Sequence, residues 1–254
     1  MSASIAGLRR SVRDAASLVI GKVTTAAADS QYRRLYYSPR WHPRLALMQR
    51  ALDETVDYIA TEMRDAIIRD DAEGVLSHAL GHTRVEGLHL EFGVSTGSTI
   101  NHIARIRRRE TIWGFDSFEG LPEDWSGYTL ATGTFRRPEP PEVEPNVELV
   151  VGWFDETLPS FLEEHPGDVA FVHVDSDLYS SARTILENVG PRLQVGTVIV
   201  FNEYFNYPNW KQHEFRAWRE FCEQTGASYE YLCWAQYEVA VRITALGVDP
   251  AKPR

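Results

Sequence analysis

The stretch LHLEFGVSTGSTI, residues 88–100, decides the fold of this chain. It begins with alternating apolar residues, continues through Gly93 and Gly97, and passes into Ser98 and Thr99. This pattern predicts a buried strand that ends in a glycine turn, with Ser98 or Thr99 capping the helix that follows. Because glycine lets backbone N–H groups approach closely and a helix N-terminus carries partial positive charge, we expect a ligand at this turn.

The segments after this turn alternate between strand and helix patterns. Strands are predicted at 87–94, 111–115, 147–151, 169–174 and 197–201, helices at 98–108, 155–164, 180–192 and 210–225, and closing strands at 229–234 and 238–244. The closing pair has no helix between its strands, which indicates an antiparallel hairpin. Strands that alternate with helices predict an α/β fold with a doubly wound, mostly parallel, seven-stranded sheet.

The chain before this region is predicted to be helical. Residues 43–69 carry apolar side chains at three- and four-residue spacing, which is most simply explained by core packing, and a shorter helix is predicted at 74–80. Residues 1–50 contain nine basic and two acidic residues, a net charge of +7, so the remainder carries −17. We interpret residues 1–42 as an N-terminal arm, a lid or an oligomerisation segment that favours a homo-oligomer, although a solvated tail is equally compatible with this composition.

The overall composition excludes several classes of protein. A net charge of −10 argues against a nucleic-acid partner, which normally requires a basic surface. Cys222 and Cys233 lack a metal-binding or disulfide spacing and are expected to be reduced core thiols. The apolar run at 15–21 is too short to span a membrane and lacks a cleavage site, so it is interpreted as an amphipathic helix. These features predict a cytoplasmic protein without a membrane partner.

Polar residues follow the predicted parallel strands at the points where the strands end: Glu91, Asp116, Gly152-Trp153, Asp175 and Asn202-Glu203. In open α/β sheets, ligands bind along this edge. A carboxylate at position 116, about twenty residues after the glycine turn, is typical of one that accepts hydrogen bonds from two ribose hydroxyls, although it could also cap the following turn. The turn lacks both the third glycine of a dinucleotide fingerprint and the Gly-Lys-Ser/Thr of a phosphate loop, so a nucleoside without pyrophosphate, such as S-adenosylmethionine, fits better.

Five motifs carry a family resemblance: LEFGVSTGST (90–99), GFDSFEGLPEDW (114–125), GWFDETLP (152–159), VHVDSDLYSSAR (172–183) and VIVFNEYFNYPNW (198–210). Together they resemble the class I S-adenosylmethionine-dependent methyltransferases, which have a Rossmann-like fold. More narrowly, residues 86–244 resemble the macrocin O-methyltransferase (TylF) family. The resemblance implies methyl transfer to a hydroxyl of a (deoxy)sugar on a glycosylated natural product, as in antibiotic biosynthesis, and a methyltransferase domain over 43–246 with a C-terminal tail at 247–254.

The resemblance also implies roles for individual residues. Cofactor binding is expected from Glu91, Gly93, Ser95, Gly97, Ser98, Asp116, Ser117, Phe118, Gly152, Trp153, Phe154 and Asp175. In this family an Asp after the fourth strand and an Asp-Asp or Asp-Asn pair after the fifth hold a divalent metal, which implies a Mg²⁺ or Mn²⁺ site at Asp175, Asn202 and Glu203. Here the pair is Asn-Glu, which removes one negative charge from the family's Asp-Asp set and lengthens one arm, so an empty site stays open.

Candidate catalytic residues are Asp177 as the general base, together with Asp175 and His213. His213 has the alternative of an exposed helical histidine, and His173 is expected to be a core residue. The aromatic segment 204–210 could contact a sugar or pack the last helix, and the loop 119–145 is long enough to form a lid. Methylation of a catechol or phenol, a non-catalytic relative that binds S-adenosylmethionine and, more remotely, a nicotinamide dehydrogenase remain the alternatives.

Overall fold

A computed structural model describes residues 25, 30, 31 and 42–247. The predictions for the N-terminal arm therefore lie almost entirely outside the described residues. The chain divides into two compact units, Met1–Arg50 and Ala51–Arg254, and the division falls within the first helix. The helices are α1 (Pro43–Glu62), α2 (Ala72–His82), α3 (Ser98–Ile106), α4 (Phe154–Glu164), α5 (Tyr179–Val189) and α6 (Glu214–Thr225). The strands are β1 (Ile67–Ile68), β2 (Leu88–Phe92), β3 (Ile112–Asp116), β4 (Trp125–Ser126), β5 (Thr129–Leu130), β6 (Val147–Val151), β7 (Val169–Val174), β8 (Leu193–Phe201), β9 (Ser228–Trp234) and β10 (Val239–Ala245).

Within residues 42–247, eight strands form one sheet in the order β1-β9-β10-β8-β7-β2-β3-β6. The five strands from β8 to β6 are mutually parallel, and β10 pairs antiparallel with both β8 and β9. This architecture confirms the predicted doubly wound, mostly parallel α/β fold. The seven predicted strands are all present, and the two-residue β1 adds an eighth beside β9.

The core consists of two apolar clusters, and alternate residues of the central strands supply them. On β8, Ile199 and Phe201 belong to one cluster, whereas Val198 and Val200 belong to the other. Because neighbouring side chains of a strand point to opposite faces, the two clusters lie on opposite faces of the sheet. Helices α4, α5 and α6 cover the first cluster, and α2 and α3 cover the second. All six residues of β7 are buried, as expected for a central strand covered on both faces.

The first helix corrects two predictions. It ends at Glu62 rather than near residue 69, and the chain then forms β1, where Arg69 N–H donates to the carbonyl of Trp234 at 2.8 Å. Only the last part of its apolar stripe packs into the core. Met48, Leu52 and Val56 are 43%, 43% and 55% exposed, whereas Ile59 packs against the core and Met63, directly after the helix, is buried. The residues that α1 buries are instead Ala51 and Thr55, and the hydroxyl of Thr55 accepts the N–H of Asn206 at 3.0 Å.

Other boundaries differ by a few residues. The predicted helix over 210–225 begins as a short 3₁₀ turn, Trp210–Gln212, before α6 starts at Glu214. The predicted long loop contains the small β4–β5 hairpin, which local periodicity does not reveal in strands of two residues.

Both cysteines are free thiols, with Cys233 buried and Cys222 partly buried. Among the described residues, no helix is long and apolar enough to cross a membrane.

Gly93 allows β2 to end directly against the chain that leaves β7. Its φ is +94°, and a Cβ at this position would lie 1.8 Å from the carbonyl oxygen of Asp175. We therefore predict that Gly93→Ala lowers the free energy of unfolding by about 3 kcal/mol or more, because both the φ angle and the clash with backbone are unfavourable. Urea denaturation measures this loss.

The matched control is Gly81→Ala within α2, where a Cβ meets nothing within 4 Å. This substitution should stabilise the protein by up to about 1 kcal/mol, since alanine favours a helix. Equal unfolding free energies for the two variants would contradict the role given to Gly93.

Candidate active site

A cavity of about 650 Å³ opens at the carboxyl ends of the parallel strands. Its walls include the glycine turn after β2, the end of β3, the start of α4 and the turns after β7 and β8. This volume falls within the range of about 300–1,000 Å³ that is usual for small-molecule sites. The cavity therefore lies at the edge where the sequence predicted a ligand.

The cavity brings together most of the predicted cofactor residues. Those in its lining are Gly93, Ser95, Ser98, Asp116, Ser117, Trp153, Phe154 and Asp175. The other four, Glu91, Gly97, Phe118 and Gly152, are not part of the lining. Phe118 is buried in the core beside α2 and α3, and Gly152 donates its N–H to the carbonyl of Asp116 at 3.0 Å. These residues support the wall of the cavity.

The carboxylate of Asp116 organises the turn after β2. Its Oδ2 accepts the backbone N–H groups of Val94 at 2.9 Å and Ser95 at 2.8 Å, and its Oδ1 accepts that of Phe118 at 2.7 Å. A carboxylate has about four acceptor positions, so capacity for one further donor remains. Asp116 thus lines the cavity while its three backbone contacts hold it in a fixed position.

Glu91 lies behind the turn and is completely buried. It accepts the hydroxyl of Thr99 at 2.9 Å and pairs with His173 Nδ1 at 2.9 Å. Burial lowers the pKa of His173, but the hydrogen bond and charge of Glu91 more than offset this and raise it overall. His173 is a buried core residue, as expected. The predicted Ser or Thr cap is wrong, because the N-cap of α3 is Gly97 and the Thr99 hydroxyl turns towards Glu91 instead.

Three carboxylates meet at the other end of the cavity. Asp175, Asp177 and Glu203 each offer an oxygen within 4.8 Å of the others. The amide nitrogen of Asn202 donates to Asp175 at 3.3 Å and to Glu203 at 2.9 Å. The turns after β7 and β8 are adjacent, as predicted, and they bring the residues of the predicted metal set and the predicted base into one cluster.

The acids of this cluster hold their protons more tightly than free carboxylic acids. Burial, followed by repulsion from neighbouring acids, raises the pKa of Asp177 and of Glu203 well above their usual range. Burial raises the pKa of Asp175 to about 6, although His173 opposes the shift. Within the described residues, Glu203 Oε2 is buried without a hydrogen-bond partner. The cluster is therefore suited to a cation or to a proton donor.

Sequence reasoning missed a fourth buried acid, Glu214, at the first position of α6. Its carboxylate is inaccessible to solvent and accepts backbone N–H groups from Ser176, Asp177 and Glu203. Burial raises its pKa to about 7, and the hydrogen bonds from Ser176 and Glu203 limit the shift. The sequence feature that could have identified Glu214 is an acid in the first turn of a helix that follows an aromatic loop. Such an acid is also common at ordinary helix N-termini, so the feature is not specific.

The neighbouring His213 lies outside the cavity lining, so the structure does not bring this candidate catalytic residue to the acids. It is also not exposed, since only 6% of its surface is accessible. Its Nε2 contacts the carbonyl of Ser126 at 2.8 Å and the Ser126 hydroxyl at 3.2 Å. Burial lowers the pKa of His213, and this position ties the β4–β5 hairpin to the start of α6.

The loop after β3 contributes aromatic walls to the cavity. Trp125 is buried, whereas Phe135 is 51% exposed and has a φ of +71°, which is unusual for an aromatic residue. In contrast, the aromatic residues of segment 204–210 pack into the core with at most 1% exposure. The burial of segment 204–210 supports its alternative role in packing, and the loop after β3 supplies Trp125 and Phe135 to the cavity.

The fold and the cavity resemble those expected of a class I S-adenosylmethionine-dependent methyltransferase, and the comparisons with known proteins agree with this class. Residues 90–204 match the family model described as a methyltransferase domain. The cofactor is S-adenosylmethionine, as predicted. The cavity of about 650 Å³, with its glycine turn and the fixed carboxylate of Asp116, suits the nucleoside part of this cofactor.

The chain is also similar to curated O-methyltransferases, which agrees with the resemblance given by its sequence motifs. One relative is the 8-demethyl-8-(2,3-dimethoxy-alpha-L-rhamnosyl)-tetracenomycin-C 4'-O-methyltransferase of Streptomyces olivaceus, 31% identical over 143 residues, 47% of this chain and 54% of the relative. Another is the demethyldecarbamoylnovobiocin O-methyltransferase of Streptomyces niveus, 31% identical over 131 residues, 43% of this chain and 48% of the relative. The chain thus spans about half the length of the curated relatives it matches.

Solved structures agree with the fold. The calicheamicin methyltransferase CalS11 superimposes with a TM-score of 0.56 at 26% identity, covering 67% of this chain and 77% of CalS11. The O-methyltransferase NovP superimposes with a TM-score of 0.51 at 24% identity, covering 68% of this chain and 78% of NovP. The second likeness, at its lower identity, supports the fold alone.

We predict that Asp116→Asn weakens binding of S-adenosylhomocysteine roughly 10- to 100-fold, or about 1–3 kcal/mol, because an amide replaces a carboxylate that accepts several donors. Isothermal titration measures the affinity. The control is Asp124→Asn in the neighbouring loop, whose carboxylate contacts only Thr132 and which is not part of the cavity lining. An unchanged affinity in a folded Asp116→Asn protein would rule out the cofactor role of Asp116.

Proposed function

We propose that this protein transfers the methyl group of S-adenosylmethionine to a hydroxyl on the (deoxy)sugar of a glycosylated natural product. The observation that carries the proposal is one cavity that joins the glycine turn after β2 to the carboxylate cluster after β7 and β8. The first part suits the cofactor, and the second suits a hydroxyl that must lose a proton. The curated relatives, whose names describe O-methylation of a rhamnosyl tetracenomycin and of a novobiocin precursor, support the same chemistry.

The first requirement of this reaction is orientation. Bound S-adenosylmethionine supplies a methyl group that is already activated, so the protein must align it with the acceptor oxygen. Asp116 and the turn around Gly93 hold the nucleoside end of the cavity, and Trp125 and Phe135 form an apolar wall for the acceptor. These aromatic side chains also exclude water from the reacting groups.

The second requirement is a proton acceptor, for which Asp177 is the best candidate. Asp177 lines the cavity, is only 8% exposed, and its pKa is raised by burial and by neighbouring acids. A raised pKa makes a carboxylate a stronger base towards a weakly acidic hydroxyl. In the proposed reaction, the acceptor oxygen forms a bond to the methyl carbon while the bond between that carbon and the sulfonium sulfur breaks, which leaves S-adenosylhomocysteine, and the acceptor proton passes to a carboxylate oxygen of Asp177.

A divalent cation fits the same cluster. Asp175 and Glu203 would hold Mg²⁺ or Mn²⁺ through carboxylate oxygens, and Asn202 would do so through its amide oxygen after its amide nitrogen gives up its bonds to the two acids. The ion would lower the pKa of an acceptor hydroxyl by polarising its oxygen. Two observations support this fit. Carboxylate oxygens converge within 4.8 Å, and the buried Oε2 of Glu203 has no hydrogen-bond partner among the described residues.

We predict that Asp177→Asn lowers kcat by about 10²- to 10⁴-fold while affinity for S-adenosylhomocysteine changes little, because only proton transfer is lost. The assay measures methyl transfer to a panel of deoxysugar glycosides. Catechols and simple phenols are tested in the same panel, because they represent the alternative class of acceptor. The control is Asp168→Asn, an exposed acid before β7 at the opposite end of the strand. Methylation of catechols alone would overturn the sugar assignment, and cofactor binding without any transfer would indicate a non-catalytic relative.

A separate titration tests the cation. Mn²⁺ should bind the wild-type protein with S-adenosylhomocysteine present, and EDTA should reverse this binding. Asp175→Asn should lower the Mn²⁺ affinity roughly tenfold or more, because a charge-bearing oxygen ligand is lost. If wild-type protein binds no Mn²⁺ and its turnover is the same in Mg²⁺ and in EDTA, then Asp177 acts without a metal.

A further inference from the structure

We infer that Glu214 is a positioning residue whose buried carboxylate fixes the two turns that carry Asp177 and Glu203, and so sets the spacing of the acid cluster. The inference deepens the proposed function and rests on it. Glu214 does not line the cavity, so it acts through these turns rather than on a substrate.

The contacts of Glu214 link the turns of two neighbouring strands. Its Oε1 accepts the backbone N–H groups of Ser176 at 3.1 Å and Asp177 at 3.2 Å, and its Oε2 accepts that of Glu203 at 3.1 Å. Each carboxylate oxygen thus holds a different turn. A single side chain therefore connects the residues after β7 with those after β8.

The sheet holds only the first residue of each turn. Asp175 donates its N–H to the carbonyl of Phe92 at 2.8 Å, and Asn202 donates its N–H to the carbonyl of Val174 at 2.9 Å, whereas Asp177 and Glu203 follow beyond these contacts. The backbone at Asp177 has a φ of +64°, which an L-residue rarely adopts without support. The carboxylate of Glu214 accepts the backbone N–H groups that follow these last sheet hydrogen bonds, at Ser176, Asp177 and Glu203.

Electrostatics argues against a purely space-filling role. A fourth buried carboxylate beside Asp175, Asp177 and Glu203 is unfavourable, because like charges in a buried site repel one another. A glutamine of the same shape would avoid this repulsion. It would, however, offer one acceptor oxygen in place of two, and one of the two turns would lose its contact. Only a carboxylate at the positive end of α6 satisfies all three donors.

The test compares Glu214→Gln with two control variants. Glu223→Gln changes an exposed acid on the same helix. Glu238→Gln removes a negative charge that raises the pKa of Asp175. The Glu238 carboxylate accepts the N–H of Tyr237, which belongs to neither turn. The second control separates the loss of negative charge from the loss of hydrogen bonds.

Hydrogen–deuterium exchange measures how well the backbone amides of the two turns are protected, and it requires no substrate. In Glu214→Gln, amide exchange over residues 175–178 and 202–204 should accelerate roughly tenfold or more, while exchange in β2, β3 and β6 stays unchanged. Both controls should match the wild type. Unchanged exchange in Glu214→Gln would overturn the inference, whatever the protein's activity.

Kinetics and binding then read the consequence for the site. Glu214→Gln should lower kcat roughly tenfold or more and weaken Mn²⁺ binding, with KM for the cofactor and affinity for S-adenosylhomocysteine within about twofold of the wild type. A positioning role would be contradicted if kcat, Mn²⁺ binding, cofactor KM and S-adenosylhomocysteine affinity all worsened by the same factor. The same changes in Glu238→Gln would also contradict it. If the wild type itself neither transfers a methyl group nor binds Mn²⁺, the proposed function fails while the exchange result still decides the role of Glu214.

Discussion

The close contact between Gly93 and the backbone of Asp175 is the constraint on which the rest of this site depends. Gly93 follows β2 and Asp175 follows β7, and the N–H of Asp175 donates to the carbonyl of Phe92 at 2.8 Å. This approach is possible only without a side chain at position 93, where a Cβ would lie 1.8 Å from a carbonyl oxygen. It brings the glycine turn after β2 against the acids that follow β7 and β8, so that one cavity is lined by both.

The acid cluster shows how a protein can keep several carboxylates together. Burial and mutual repulsion raise the pKa of Asp175, Asp177, Glu203 and Glu214, so the site is strained when all four are charged. Three backbone N–H groups and the N-terminus of α6 offset part of this cost at Glu214. Asp175, Asp177 and Glu203 line the cavity, where their carboxyl groups favour a cation or a proton.

The loop after β3 supplies the aromatic wall of the cavity. Its hairpin is tied to the rest of the domain through Ser126 and His213, and it presents Trp125 and Phe135 to the cavity. Loops at the carboxyl edge of such sheets vary without disturbing the strands beneath them, and they therefore determine which acceptor fits. In the proposed reaction, the cofactor residues and the proton acceptor follow strand ends, whereas the apolar wall for the acceptor belongs to this loop.

The sequence by itself determined the sheet, the cofactor class and the edge of the sheet at which the cavity opens. The glycine turn, Asp116 and the alternation of strands with helices are local patterns, and their spacing fixes how the carboxyl ends of the strands align. Local patterns did not reveal the exposed stripe of α1, because the same 3.6-residue period arises whether or not a face is covered. They also placed His213 near the acids and overlooked Glu214, although the two residues are adjacent. Only the tertiary structure decided between them, because the direction of each side chain depends on how α6 packs against turns that lie far away in the sequence.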